Sequence, residues 1–221
     1  MGSSIKKQFL PMRDGRELLF HTLDIFQERE SIQGIVLAVS PADISFCQRR
    51  AFELGFSKVK HVVPGSATRQ QSGLQGLLAL PSSCTHVLIH DAVRPHLDEP
   101  SLSRIMQETE QYGAAALAVP VKDTIKVVDG QGFVVDTPKR DTLWAVQTPQ
   151  VFERALYQEA MDTARKQQAD YTDDCQLIER FGVLVHLCLG DYHNLKLTTP
   201  EDIVLAEAIL QGLQKKREEN P

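Results

Sequence analysis

The sequence predicts an α/β fold, built on a doubly wound, mostly parallel sheet from which a β-hairpin arm protrudes. Three observations support this prediction. Short apolar runs alternate with amphipathic helical patterns as far as residue 120, two β-branched runs then flank an Asp-Gly pair, and helical patterns resume after residue 150. Alternating helices and strands favour a parallel sheet between two helical layers, and Asp-Gly between β-branched runs is a strong hairpin signal.

The first half of the chain repeats a helix followed by a strand. Leu19, Leu23 and Phe26 recur at helical spacing, and a glycine then precedes the apolar run 35–39. Either Thr68 or Ser66 can cap the third helix. Helices are predicted at 16–29, 41–55, 69–80 and 101–112, and strands at 35–39, 58–63, 87–89 and 114–119.

The pattern changes at Pro120, where the hairpin begins. Runs at 122–128 and 133–137 flank Asp129-Gly130-Gln131-Gly132. We therefore interpret residues 1–221 as a single domain, with 120–147 as a dimerisation arm inserted in it.

Beyond the arm, Phe152, Leu156 and Met161 indicate a helix rather than a strand. A further helix at 171–180 and a strand at 183–189 follow. Thr199 and Pro200 are typical of the start of a last helix.

Composition limits the classes of function. The 221 residues are 42% hydrophobic, and the net charge is -5 with a pI near 5.8. This charge argues against a nucleic-acid partner, so a phosphate site would have to be built locally. Four scattered cysteines favour a reduced, cytoplasmic protein. The apolar runs are too short for a signal peptide or a membrane-spanning helix, so we expect no membrane partner.

Asp91 is the first candidate functional residue. It lies where the apolar strand 87–89 ends, and open α/β sheets bind ligands in the crevice beyond the carboxyl ends of their strands. The residues leave two interpretations open. Asp91 either faces a ligand, or it caps the following segment and pairs with Arg94.

The segment 64–77 is a second candidate. It places a breaker and small residues between a strand and a helix start, which leaves backbone N–H groups for an anion or a base edge. An ordinary strand-to-helix turn explains the same residues, so this segment alone does not decide the function.

Taken together, the ordered motifs resemble one family, the 2-C-methyl-D-erythritol 4-phosphate cytidylyltransferases. They span nearly the whole chain in the order of that family. The matching motifs are Met1-Gly2, Lys7-Gln8-Phe9-Leu10-Pro11, Gly65, Arg69-x-x-Ser72, Gly76-Leu77, His90-Asp91-Ala92-Val93-Arg94-Pro95, Pro120-Val121, Asp123-Thr124-Ile125-Lys126, Arg140, Leu143-Trp144, Thr148-Pro149-Gln150, Thr172-Asp173, Asn194-x-Lys196 and Thr199-Pro200-Glu201-Asp202.

The resemblance implies a Rossmann-like nucleotide-diphospho-sugar transferase fold and cytidylyl transfer from CTP to 2-C-methyl-D-erythritol 4-phosphate, in non-mevalonate isoprenoid precursor synthesis. It implies a homodimer joined by the hairpin arms and a magnesium ion held by Asp91. The implied catalytic residues are Lys7, Arg140 and Lys196; the nucleotide ligands are Ser66, Ala67, Ser72, Asp91, Ala92 and Arg94; and the ligands of the substrate phosphate are Thr124, Arg140, Thr148 and Lys196.

The sequence also departs from the family pattern. The family begins with an apolar strand and a glycine-rich loop upstream of the segment that matches Met1-Gly2. Without that central strand, each buried backbone group left unpaired costs roughly 1 to 3 kcal/mol. Lys6 replaces a usual proline, Ser66 a common second glycine, and Gly73 a common aliphatic residue.

Two explanations remain for the missing strand. We expect that Met1 is an internal methionine, and that about fifteen to twenty further residues supply the strand and the loop. The alternative is a truncated, non-catalytic paralogue that serves as a binding or dimerisation partner. Among enzymes, the nearest rival is a ribitol 5-phosphate cytidylyltransferase, which shares the fold and several motifs.

Overall fold

The computed structural model describes residues 5–219, without the side chains of residues 200, 211 and 213–219. The helices are α1 (Leu18–Gln27), α2 (Ile44–Glu53), α3 (Arg69–Leu78), α4 (Glu99–Tyr112), α5 (Arg154–Gln167), α6 (Asp174–Phe181) and α7 (Pro200–Glu219). The strands are β1 (Ile35–Val39), β2 (Val59–Pro64), β3 (His86–Ile89), β4 (Ala114–Pro120), β5 (Val127–Val128), β6 (Val134–Asp136), β7 (Trp144–Glu153) and β8 (His186–Leu189). The α/β prediction is confirmed.

The sheets are mixed: β7 runs antiparallel to both of its neighbours, whereas β3, β4 and β8 share one direction and β1 pairs in parallel with β2. Four strands form a sheet in the order β3-β7-β4-β8, and only β4 and β8 are parallel neighbours in it. The arm returns the chain to the end of the sheet where β4 leaves, so that Pro120 pairs with Trp144. A strand that re-enters beside its predecessor in this way must run antiparallel to it.

Phe152 belongs to β7 rather than to a helix, which corrects the sequence-based prediction. It is fully buried, pairs with Ala114 of β4 and stacks on Tyr157 with ring centroids 5.5 Å apart. A short apolar run fits a buried strand and a helical stripe equally well, so its period did not distinguish them.

Strand β4 separates the two main cores. Its residues from Ala114 to Val119 are buried, and they alternate between the two faces of the sheet. Ala114 and Ala116 pack against the core that includes α5 and α6, whereas Ala115 and Leu117 pack against the core that includes α4. Helices therefore cover both faces, as expected for an α/β fold.

A wide cleft separates β1 from β3. β1 pairs in parallel with β2, β3 pairs with β7, and no strand within residues 5–219 joins the two sheets. The cleft has a volume of about 1090 Å³ and is lined along the full length of both strands. Side chains of α1 and α3, including Leu23 and Leu77, cover its faces.

The hairpin formed by β5 and β6 exposes an unusual number of apolar side chains. Phe133 is 68% exposed, and Val128, Val134 and Val135 are all more than half exposed. Contiguous exposed apolar residues of this kind mark interaction surfaces. Among residues 5–219, none of the helices combines the length and the apolar character required to cross a bilayer.

Candidate active site

Asp91 lies two residues after the end of β3 and is held between two cations. Its Oδ2 accepts a hydrogen bond from Arg94 Nε at 3.0 Å and lies 3.2 Å from Lys196 Nζ. Asp91 and Arg94 side chains are 15% and 10% exposed, whereas the Lys196 side chain is 45% exposed. The structure thus brings together three of the predicted site residues from two distant parts of the sequence.

The Asp91 carboxyl is ionised at neutral pH. Burial acts to raise its pKa, but the hydrogen bond from Arg94 and the charges of Lys196 and Arg94 outweigh burial, so the pKa lies below its ordinary value. Asp91 therefore pairs with Arg94, as expected from the second of the two interpretations of the sequence. Within residues 5–219, no hydrogen bond reaches the other carboxylate oxygen, Oδ1.

A directed chain of hydrogen bonds fixes the backbone at Asp91. The Asp91 N–H donates to Thr148 Oγ1 at 3.0 Å, and Thr148 Oγ1 lies 3.2 Å from His90 Nδ1. His90 Nε2 faces the Arg94 carbonyl oxygen at 3.1 Å, so Nε2 holds the ring proton and Nδ1 accepts from Thr148. Burial lowers the pKa of His90 to about 4, which keeps the imidazole neutral.

Thr148 is 4% exposed, and its hydroxyl is already used as both donor and acceptor. Its predicted contact with a substrate phosphate therefore requires the hydroxyl to release His90. In this structure the Thr148 hydroxyl supports the backbone of Asp91, just beyond the end of β3.

The nucleotide segment forms a second cluster at the start of α3. Ser72 Oγ accepts from the Ser66 N–H at 2.9 Å and donates to the Thr68 carbonyl at 2.9 Å, while the Thr68 hydroxyl caps α3. Ser66 and Ala67 are exposed at this turn. Ser72 therefore holds the turn in place, and both Ser72 and Asp91 line the cleft.

Sequence reasoning missed the buried group beneath this cluster. The Asp174 carboxylate accepts from the Arg69 guanidinium and, at 2.7 Å, from the Tyr157 hydroxyl. A Cβ on Gly73 would lie only 2.9 Å from the Tyr157 oxygen. The departure at Gly73 thus makes room for Tyr157. The available signal was a small residue, Gly73 on α3, facing a large one, Tyr157 on α5. It cannot be recognised before it is known that the two helices pack together.

Lys7 and Ala92 lie on two segments that contact α1. Lys7 is exposed on a short 3-10 helix, Lys7–Phe9. The neighbouring Lys6, at the position where proline is common, pairs with Asp43 at 2.5 Å. The Ala92 carbonyl accepts from the Thr22 hydroxyl at 3.0 Å, which attaches the loop after β3 to α1. Met1 and Gly2 lie outside the described residues.

Thr124 and Arg140 lie on the arm. Both are exposed, and Arg140 Nη1 donates to the Lys122 carbonyl at 3.1 Å. Within residues 5–219 no hydrogen bond or ion pair joins either side chain to Asp91, Arg94 or Lys196. The single subunit therefore assembles Asp91, Arg94, Thr148 and Lys196, but it does not add the two arm residues to them.

Comparison with known proteins identifies the family. The model of the IspD family, 2-C-methyl-D-erythritol 4-phosphate cytidylyltransferase, matches residues 1–212. The chain belongs to this cytidylyltransferase family. The motif-based assignment to the family, and with it to the nucleotidyltransferases, is thereby confirmed.

Individual relatives agree with this assignment. The 2-C-methyl-D-erythritol 4-phosphate cytidylyltransferase of Desulforamulus reducens is 47% identical over 96% of this chain and 90% of its own. That of Geobacter metallireducens is 43% identical over 96% and 92%.

Solved structures show the same fold. The crystal structure of 4-diphosphocytidyl-2C-methyl-D-erythritol synthase from Anaerococcus prevotii superposes with a TM-score of 0.84 at 32% identity, covering 95% of this chain and 92% of that one. The cytidylyltransferase from Thermus thermophilus gives a TM-score of 0.79 at 33% identity, covering 93% and 94%.

Proposed function

We propose that this cytidylyltransferase converts CTP and 2-C-methyl-D-erythritol 4-phosphate into 4-diphosphocytidyl-2-C-methyl-D-erythritol and diphosphate. A phosphate oxygen of the sugar phosphate attacks the α-phosphorus of CTP. The bond between that phosphorus and the bridging oxygen breaks, and diphosphate leaves with the electron pair. The main structural support is the Asp91 carboxylate, held between Arg94 and Lys196 at a cleft that Ser72 also lines.

The reaction joins two anions, so the protein must place cations around them. Lys196 is exposed enough to contact a ligand, and its ammonium is positioned by Asp91. In this proposal Lys196 and Arg140 hold the phosphate of the attacking substrate together with Thr124 and Thr148. Lys7 neutralises charge that develops on the triphosphate.

Asp91 fits a magnesium ion that is bound largely through the nucleotide. Among residues 5–219, no three His, Cys, Asp or Glu side chains gather as metal ligands. Magnesium commonly takes one or two carboxylates and completes its shell with phosphate oxygens and water. The ionised Asp91 has one oxygen free for this purpose. When bound, the ion supplies charge neutralisation at the triphosphate.

The nucleotide is proposed to lie between α3 and the loop after β3. The exposed turn at Ser66 and Ala67 offers backbone groups to a base, and Ser72 fixes that turn. Ala92 and Arg94 flank the nucleotide from the opposite side. We also propose a cytoplasmic setting, which agrees with four free cysteines, three of them buried.

We propose that two copies embrace through the arm, residues 120–147. The exposed apolar side chains of β5 and β6 would be covered by the second copy. Thr124 and Arg140 would then complete the partner's site, which accounts for their separation from Asp91 within one subunit.

Replacing Arg140 with alanine tests this assignment. Arg140→Ala removes a charge-assisted phosphate contact, so we expect kcat/KM for the sugar phosphate to fall about 100-fold while the KM for CTP changes less than about threefold. Steady-state kinetics with each substrate varied in turn measures both, and Lys139→Ala, at the exposed neighbouring position, is the control. Equal losses for both substrates would contradict a phosphate-binding role.

Co-expression distinguishes action across the dimer from action within one subunit. A heterodimer of Arg140→Ala and Asp91→Asn subunits has one intact site if Arg140 acts on the partner, so random pairing should restore about a quarter of the wild-type activity. Co-expressed Asp91→Asn and Lys196→Ala subunits should show no rescue, because those two residues lie in the same subunit.

We propose that an extended apolar strand occupies the cleft between β1 and β3 and presents a glycine-rich phosphate loop beside Asp91. The supporting observation is that both strands turn an unpaired edge towards an apolar cleft of about 1090 Å³. The N-terminal mass of the protein made from its own gene tests this proposal. A start at Met1 would favour the non-catalytic alternative.

The activity itself is tested by assaying diphosphate release with CTP, magnesium and 2-C-methyl-D-erythritol 4-phosphate. Competition with ribitol 5-phosphate distinguishes the rival cytidylyltransferase, since the true substrate will show the higher kcat/KM. A protein that binds CTP without turnover of either sugar phosphate would instead be a binding or dimerisation partner.

A further inference from the structure

We infer that Asn194 is a positioning residue that sets the place of Lys196 relative to Asp91. This inference rests on the proposed function, in which Lys196 holds the phosphate of the attacking substrate. Asn194 has no exposed surface, so it acts through its neighbours and not on the substrate.

Asn194 joins the three segments that form the site. Its Nδ2 donates to the Thr148 carbonyl at 2.8 Å and to Gln147 Oε1 at 3.2 Å, both on β7. Its own carbonyl accepts from Arg94 Nη1 at 2.7 Å, in the loop after β3. Asn194 therefore connects the loop that contains Lys196 to two other parts of the site. One is Arg94, which pairs with Asp91, and the other is β7, whose Thr148 binds the Asp91 backbone.

Two further anchors lie on either side of Asn194. Gln147 Nε2 donates to the Asp191 carbonyl at 2.9 Å, and the Leu197 N–H donates to the Val93 carbonyl at 2.9 Å. Lys196 thus lies between two fixed positions, Asn194 and Leu197. Its backbone is therefore held between two anchors, which favours a placement of the ammonium beside Asp91.

The two donor contacts determine how the amide is oriented. Rotating the amide by 180° would point Oδ1 at the Thr148 carbonyl and the Gln147 Oε1, and acceptors repel acceptors. In the observed orientation Oδ1 is buried and has no hydrogen-bond partner among the described residues. The Asn194 Nδ2 group donates two hydrogen bonds while Oδ1 accepts none within residues 5–219, so the side chain is oriented by its contacts with β7.

A double-mutant cycle on the dissociation constant of 2-C-methyl-D-erythritol 4-phosphate tests the inference. Isothermal titration calorimetry measures this constant with magnesium present and does not require turnover. We expect Asn194→Ala to weaken binding about tenfold and Lys196→Ala at least as much. The double variant should bind no more weakly than Lys196→Ala alone, whereas the dissociation constant for CTP should stay within about twofold.

Asn194→Asp provides a second variant that keeps the side-chain shape and the backbone carbonyl that Arg94 contacts. It replaces the amide donors with a carboxylate oxygen that faces two acceptors, so it should weaken sugar-phosphate binding at least as much as alanine does. It also keeps the test available if Asn194→Ala does not fold. His193→Ala, at an exposed position of the same loop, is the control and should bind normally.

The outcomes separate the inference from the proposed function. If Lys196→Ala binds the sugar phosphate normally, or the wild-type protein does not bind it, the proposed role of Lys196 is wrong and the inference fails with it. If Lys196→Ala weakens binding, and the double variant shows the two single effects on the dissociation constant multiplied together, the proposed function stands and Asn194 is merely structural. Equal weakening of CTP and sugar-phosphate binding would likewise overturn the positioning role.

Discussion

Replacing Asp91 with asparagine should lower kcat at least about 1000-fold, equivalent to about 4 kcal/mol of transition-state stabilisation. The amide keeps the shape of the side chain but removes the negative charge that the Arg94 and Lys196 cations face. It is also a much poorer ligand for magnesium. Under the proposed function both effects act on the triphosphate, where the reaction develops charge, so the loss should appear in turnover and not only in binding.

Asp162→Asn is a matched control for this variant. Asp162 also pairs with an arginine three residues later, Arg165, at 3.3 Å, but the pair lies on the exposed surface of α5. Exposed pairs of this kind contribute little to stability. We expect wild-type turnover from Asp162→Asn in the same diphosphate-release assay. A value of kcat for Asp91→Asn above one tenth of the wild-type value would remove Asp91 from the catalytic centre.

The two interpretations of Asp91, as a residue that faces a ligand and as a cap that pairs with Arg94, do not exclude each other. The sequence indicated each alternative separately, yet the structure shows that Asp91 pairs with Arg94 through Oδ2, while no hydrogen bond to Oδ1 is found within residues 5–219. Pairing with Arg94 and Lys196 is what keeps the carboxyl ionised in a half-buried place. A residue can therefore be held by structural contacts in the state that its chemistry requires.

Local patterns predicted the helices and most strands, because those signals lie within a few residues. Helix α3 was predicted at 69–80 and is observed at Arg69–Leu78, and β4 was predicted at 114–119 and is observed at Ala114–Pro120. The direction of β7 could not be predicted in the same way. It depends on where the arm returns the chain, and the Pro120–Trp144 pairing that fixes it spans the whole arm.

The ordered motifs predicted which residues form the site, but not which hydrogen bonds those residues make. Motif order singled out Asp91, Arg94, Thr148 and Lys196, and the structure brings them together. No sequence signal showed that the Thr148 hydroxyl is committed to Asp91 and His90, or that Asn194 joins three segments. Buried hydrogen bonds between residues 46 to 100 positions apart leave no periodic pattern in a single sequence.

Two buried histidines should make the free energy of unfolding fall between pH 6.5 and pH 4. Burial lowers the pKa of both His90 and His96 to about 4 from an ordinary 6.5, and the nearby His193 and His21 add to the effect at His96. In this interval the unfolded chain binds protons that the folded chain does not. Stability is therefore lost as the pH falls, by about 3 kcal/mol for each histidine at pH 4.

His96→Leu should remove about half of this loss. Both ring nitrogens of His96 are buried and have no hydrogen-bond partner within residues 5–219, so leucine should keep the stability at pH 7 and raise it relative to the wild type at pH 4.5. Urea denaturation at several pH values measures the difference. His61→Leu, at an exposed position of β2, should leave the pH dependence unchanged. The same pH dependence in His96→Leu as in the wild type would show that His96 is protonated in the folded protein as easily as in the unfolded chain, and that its burial does not control its charge.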